Sequence, residues 1–193
     1  EYINREQVPA DRLEKEKEIL KEGQLDFVSF SYYRSNTTKA GDPWFNVGGS
    51  SNPYLENTPW GWPIDALGLR YCMNEIYDRI QKPIFIVENG IGLDENLDET
   101  GHIHDEYRMY YIKEHLKYVH EAILDGVECM GYLYWGPIDV VSAGTGEMRK
   151  RYGFIYVDKD NAGQGTLARS KKDSFDWYKK VIESNGENLW KNT

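Results

Sequence analysis

Glu88 closes the apolar run Ile84-Phe85-Ile86-Val87 and is followed at once by Asn89-Gly90. A carboxylate at the end of so apolar a segment is costly unless it is paired, hydrogen-bonded or protonated. Two readings stand on the residues alone. Either the turn delivers Glu88 to solvent, or the carboxylate is held partly desolvated yet reachable, the environment that a nucleophilic carboxylate needs in a retaining glycosidase. Other polar and aromatic residues fall at comparable places, just after apolar runs: Tyr32 and Tyr33 after Leu25 to Ser31, and Trp135 and Asp139 after Cys129 to Tyr134. The histidines offer less. His102 and His104 are two apart in a loop, and His115 and His120 are five apart on a helix, so neither pair has the spacing of a metal-binding helix face and no metal is expected. No cofactor is implied, and the acidic run Asp94 to Glu99 lacks the glycine-centred pattern of a calcium loop.

The elements that must position these groups alternate. The spacing predicts an amphipathic helix over 9–23 and a buried strand over 25–33, then an irregular segment over 34–63 rich in Gly, Pro, Asn and Ser. A helix over 67–81, a strand over 83–90, a long helix from about 105 to 125 and a strand over 129–135 follow. A short extended excursion then precedes a closing helix over 171–186. Strand and helix alternating at this length indicate a parallel sheet in one domain spanning 1–193. Three parallel strands cannot bury both faces and both edges alone, so further chain must complete the sheet, or exposed edges will favour self-association, with a homo-oligomer among the expected states. In an eight-stranded α/β barrel the active-site groups sit at the C-terminal strand ends, where these polar residues cluster.

Bulk properties narrow the ligand. Fifteen tyrosines and six tryptophans suit sugars or bases, and a net charge of −9 argues against nucleic-acid binding, which rests on many Lys and Arg. Without an apolar run long enough to span a bilayer, no membrane association is expected, and Cys72 and Cys129 read as small buried hydrophobes suited to a reducing cytoplasm.

The run "IFIVENGIG", together with "DFVSFSYY", "WGWPIDALGLR" and "GYLYWGPIDVVSAGTGEMRKRYGFIYVD", resembles glycoside hydrolase family 1 over essentially the whole chain. The resemblance implies the C-terminal part, about strands six to eight, of a (β/α)8 TIM barrel. It makes Glu88 the covalent nucleophile, Tyr33 the tyrosine that orients it, Trp135 the platform under the sugar and Trp62 an aromatic on the leaving-group side; Asn89, next to Glu88 at the strand end, is expected to contact the substrate. Plain β-glucosidases of the family read D-N-F-E-W where this chain has Asp139-Val140-Val141-Ser142-Ala143. Ser142, with Lys150 and Tyr152 in Lys-x-Tyr spacing, is similar to the phospho-glycosidase pattern that grips a 6-phosphate. The implied substrate is a phosphorylated β-glucoside such as phosphorylated cellobiose or an aryl glucoside, and Ala143 and Ser31 point to gluco rather than galacto. A 6-phospho-β-galactosidase, a plain β-glucosidase and a non-catalytic sugar-phosphate binding module remain alternatives. The family's acid/base glutamate comes from an N-E-P motif absent here, since Asn74-Glu75 is followed by Ile76. The isolated chain is therefore expected to be inactive.

Overall fold

The computed structural model describes residues 10–41, 50 and 52–190. In chain order the elements are α1 (Ala10–Glu22), β1 (Val28–Ser31), α2 (Ala66–Ile80), β2 (Ile84–Asn89), β3 (Leu93–Asp94), α3 (Glu106–Leu124) and β4 (Cys129–Tyr134). Then follow β5 (Lys150–Arg151), β6 (Ile155–Val157), β7 (Arg169–Lys171), α4 (Asp173–Glu183) and a 3-10 turn at Glu187–Trp190. The expected helices and strands are all present within a few residues of their predicted limits; the 3-10 turn carries no strong sequence signal.

β1, β2 and β4 form one parallel sheet in the order β1-β2-β4, with Val28 opposite Ile84 and Ile84 opposite Cys129. The intervening helices α2 and α3 pack on one face. Ile84 and Ile86 of β2 alternate inward and meet Leu69, Met73, Val119, Ala122 and Val127, as the two-residue period of a strand and the 3.6-residue period of a helix require. Asp65 caps α2, its carboxylate accepting the Gly68 N–H at 2.8 Å. The Tyr32 hydroxyl donates to the Asp65 carbonyl at 2.7 Å, and this close crossing requires Gly68, since a Cβ there would lie 2.3 Å from that oxygen.

The strand over 25–33 was expected to be buried, and here the structure differs. β1 is an edge strand with alternating exposure, and Leu25 and Phe27 beside it are exposed, as are Met130 and Leu133 on β4. Helices cover one face of the three-stranded sheet, so side chains on the other face stay exposed, which is the physical reason. The segment over 34–63 is irregular where described, with isolated bridges Thr37 to Ser50 and Asn57 to Pro63. Smaller ladders tie the loops: β3 pairs with β5 and β6 with β7, both antiparallel. Among the described residues no helix is long and apolar enough to cross a membrane.

α3 carries one costly group. His115 is fully buried, its Nδ1–H donating to the Tyr111 carbonyl at 2.8 Å and its ring packed 4.0 Å from that of Tyr111. Its Nε2 meets no hydrogen-bond partner. Burial holds its pKa down at about 4, below the value of about 6.5 for an exposed imidazole. Between these two values the unfolded chain binds the extra proton, so stability rises with pH across that window. This contribution is complete above about pH 6.5 and is lost as pH falls toward 4, with a size of about 3 kcal/mol. Urea unfolding of the full-length protein at pH 7 and pH 5 should show a fall in midpoint that His115→Phe largely removes. An equal fall in the variant would contradict a buried neutral imidazole.

Candidate active site

Seven of the eight expected site residues converge. Tyr33, Trp62, Glu88, Trp135, Ser142, Lys150 and Tyr152 line one cavity of about 240 Å³, together with Ala143 and Gly144. They come from four separate places: the end of β1, the loop before α2, the end of β2, and the stretch that runs from the end of β4 through β5. The parallel sheet puts those chain ends on one side, as its topology dictates.

Glu88 is half-buried, and the Tyr33 hydroxyl donates to its Oε2 at 3.1 Å. Burial first, and then the Glu88 charge, push the Tyr33 pKa far above the ordinary phenol value, so Tyr33 stays a donor. Backbone bonds hold both: the Tyr32 N–H donates to the Glu88 carbonyl at 2.8 Å, and the Trp135 N–H to the Asn89 carbonyl at 2.7 Å. Trp135 is 37% exposed, leaving a broad apolar surface beside the carboxylate. Trp62 packs edge-on to Tyr33, with ring centroids 5.8 Å apart.

Asn89 departs from the expectation. It is fully buried and does not line the cavity; its amide donates to the Tyr32 carbonyl at 2.6 Å and to the Tyr111 hydroxyl at 3.2 Å, and its carbonyl accepts from Tyr132. Successive strand residues face opposite ways, so Glu88 turns to the cavity while Asn89 braces β1, β4 and α3. Asp139 is likewise a buried scaffold residue.

Lys150 is 2% exposed, yet it makes no ion pair with any described residue. Its ammonium lies 4.1 Å from the Trp62 ring centroid, 5.2 Å from Trp60 and 5.8 Å from Tyr152. Aromatic faces attract a cation but do not neutralise it, and burial, followed by the Arg34 charge, lowers its pKa. Gly92 lets it pass: a Cβ there would lie 2.7 Å from Lys150 Cγ and 2.8 Å from the Tyr152 ring. Burial also raises the Tyr152 hydroxyl to about 12, so it remains protonated at neutral pH.

Behind this cavity lies a second group of charges that sequence analysis did not find. Arg108, Lys172 and Arg151 face Glu95, Asp105 and Asp139, three cations against three carboxylates, all nearly or fully buried. Asp139 accepts from Arg151 at 3.0 Å, Lys172 at 2.9 Å and the Gly153 N–H at 2.9 Å. Arg108 donates to the carbonyls of Ile91 at 2.9 Å and Tyr152 at 2.7 Å. These bonds fix the backbone that follows Lys150 and the loop at Ile91. Trp60 and Arg34 were also missed: Trp60 stacks under Arg149 and Lys150, and Arg34 lies 4.9 Å over Trp62. The Trp60-Gly61-Trp62 spacing was the available signal.

A family model described as "Glycosyl hydrolase family 1" matches residues 3–187. The chain belongs to glycosyl hydrolase family 1. It is 50% identical, over 97% of its length, to aryl-phospho-β-D-glucosidase BglH of Bacillus subtilis (strain 168), and 55% identical over 89% to 6-phospho-β-glucosidase AscB of Escherichia coli (strain K12). It spans 41% and 37% of those relatives. A solved structure of a family 1 β-glucosidase from Thermotoga maritima superposes with a TM-score of 0.76 at 32% identity, covering 94% of this chain and 40% of that one. The three-stranded sheet is accordingly a section of a (β/α)8 TIM barrel.

Asp139→Asn keeps the side-chain size and removes one charge from the balanced cluster. Leaving three cations against two carboxylates, with no carboxylate partner for Arg151 among the described residues, should destabilise the full-length protein by about 3–5 kcal/mol, read from urea unfolding. A loss below about 1 kcal/mol, typical of an exposed pair, would contradict a clamp built on buried charge.

Proposed function

We propose that the full-length protein hydrolyses 6-phospho-β-D-glucosides with retention of anomeric configuration. The observation that carries this is Lys150, a buried cation without an ionic partner among the described residues, in the same cavity as Glu88 and beside Ser142. An unpaired buried charge is costly, and a bound phosphate dianion would offset that cost. Ser142 and Tyr152 add hydroxyl donors, and Ser142 stands where a plain β-glucosidase would carry a carboxylate that repels phosphate. The relatives named for aryl-phospho- and 6-phospho-glucosides support the same substrate class. Ala143, small where the galacto branch carries tryptophan, favours glucose over galactose.

In this proposal Glu88 attacks the anomeric carbon while the glycosidic oxygen leaves with a proton, forming a glycosyl ester. Water then cleaves the ester and Glu88 is regenerated. Tyr33, donating to Oε2, keeps the carboxylate ionised and aimed, and Trp135 and Trp62 flank the sugar and the leaving group. Glu88 is the one carboxylate among the residues lining the cavity, so the proton donor, about 5 Å away in a retaining site, comes from barrel strands beyond this section. In this proposal the chain is one domain, 1–193, corresponding to barrel strands six to eight.

Two measurements test this assignment. A 2-deoxy-2-fluoro 6-phosphoglucoside should add its mass to the peptide containing Glu88; label elsewhere would remove Glu88 as nucleophile. Charge-assisted hydrogen bonds contribute roughly 1.5–3 kcal/mol, so Lys150→Ala should lower kcat/KM for a 6-phosphoglucoside by about one to two orders of magnitude and hardly affect the unphosphorylated glucoside. Ser142→Glu should lower the former further. Equal effects on both substrates would return the function to ordinary β-glucoside hydrolysis.

A further inference from the structure

His102 and His104 lie in the loop between β3 and α3, on either side of Ile103. Ile103 is 1% exposed, and its carbonyl accepts the Asp173 N–H at 3.4 Å. The loop thus crosses the start of α4 with Ile103 turned inward and both histidines turned to one side, the two-residue period of extended backbone. A helical test of spacing does not apply here, and the pair meets Asp173, the first residue of α4. His102 Nε2 is 2.7 Å from Asp173 Oδ1, and His104 Nδ1 is 2.7 Å from Asp173 Oδ2.

The second nitrogen of His104 decides what this cluster can hold. His104 Nε2 lies 3.0 Å from Asp98 Oδ2, and Asp98 is itself fixed through Oδ1 by the Thr100 N–H and hydroxyl and the His102 N–H. A neutral imidazole has one N–H. If Nε2 donates it to Asp98, Nδ1 faces a carboxylate oxygen at 2.7 Å with a lone pair, a contact that either a second proton on His104 or a metal ion bound beside both atoms satisfies. A carboxylate behind a histidine, setting its tautomer so that the other nitrogen faces a cation, is the usual outer support of a metal-binding imidazole.

We infer that His102, His104 and Asp173 form a binding site for a divalent transition-metal ion of the zinc type. Their ligand atoms lie within 4.8 Å of one another. Two imidazoles and one carboxylate suit Zn²⁺, Co²⁺ or Ni²⁺ and not Mg²⁺ or Ca²⁺, which take oxygen ligands. His104 is 55% exposed in its side chain, so water can reach a fourth position. Glu88 does not take part, and the site is independent of the proposed hydrolysis. Its effect is structural, joining the loop that carries Glu95 and Asp105 to α4, which follows directly on Lys172.

The test uses the full-length protein, stripped with EDTA and titrated with Zn²⁺ and with Co²⁺. Expected are one saturable equivalent, a thermal midpoint raised by Zn²⁺ and lowered again by EDTA, and visible absorption bands with Co²⁺. His102→Ala and Asp173→Asn should abolish these, Asp98→Asn should weaken binding by about 10- to 100-fold, and His120→Ala should change nothing. In unsubstituted protein, Co²⁺ should perturb the ring resonances of His102 and His104 ahead of those of His115 and His120. Absence of saturable binding, or perturbation confined to His120, would overturn the site and leave the cluster bridged by a proton.

Discussion

The balanced cluster of Arg108, Lys172, Arg151, Glu95, Asp105 and Asp139 is the constraint on which the remaining loops depend. It gathers the loop after β2, the first turn of α3, the long loop after β4 and the start of α4. An apolar cluster of Ile91, Leu93, Tyr134, Phe154 and Phe175 packs the same loops. The charges add a stricter demand, because their desolvation is offset only when every partner is in place. Arg108 alone reaches Asp105, Glu95, the Tyr134 hydroxyl and the carbonyls of Ile91 and Tyr152. The requirement for complete pairing makes the arrangement selective: a loop displaced by a fraction of a hydrogen-bond length leaves a buried charge unmet.

That selectivity reaches the cavity through the backbone at 150–152. Lys150 and Arg151 pair with Asp94 and Leu93 across the β3–β5 ladder, and alternation sends their side chains to opposite sides. Arg151 enters the ionic cluster; Lys150 enters the cavity with Tyr152. One short extended segment thus supplies both the anchor and a cation without an ionic partner among the described residues. Gly92, on the opposing loop, leaves the space that the Lys150 stem and the Tyr152 ring occupy.

Most of this site was legible in the sequence because it is written in contiguous motifs. Glu88 closing an apolar run, Tyr33 closing another, Trp62 between glycine and proline, and Lys150 two residues before Tyr152 are all local signals. Asn89 was misplaced because adjacency in sequence was taken for adjacency in space, and a strand's pleat separates neighbours to opposite faces. The ionic cluster was invisible for a different reason. Its defining pairs are separated by up to 77 residues, as between Lys172 and Glu95, and no local pattern marks a charged residue as buried. The same limit hid Asp173 from the histidine pair 69 and 71 residues before it.

Asp139 joins these two systems electrically. It lies three residues before Ser142, and an unmatched carboxylate so near the cavity would oppose binding of a phosphate dianion. Its charge is consumed by Arg151 and Lys172, both within 3.0 Å. Lys172 is in turn shared with Glu95, and Glu95 with Arg108. Paired charges of equal number create little field at a distance, whereas the Lys150 ammonium, packed against aromatic faces that do not neutralise it, keeps most of its own. The scaffold therefore does more than hold Lys150 in place. By cancelling its own charge it leaves Lys150, with Arg34 over the same Trp62 ring, to set the positive potential in the cavity that holds the Glu88 carboxylate, the charge separation on which the proposed function rests.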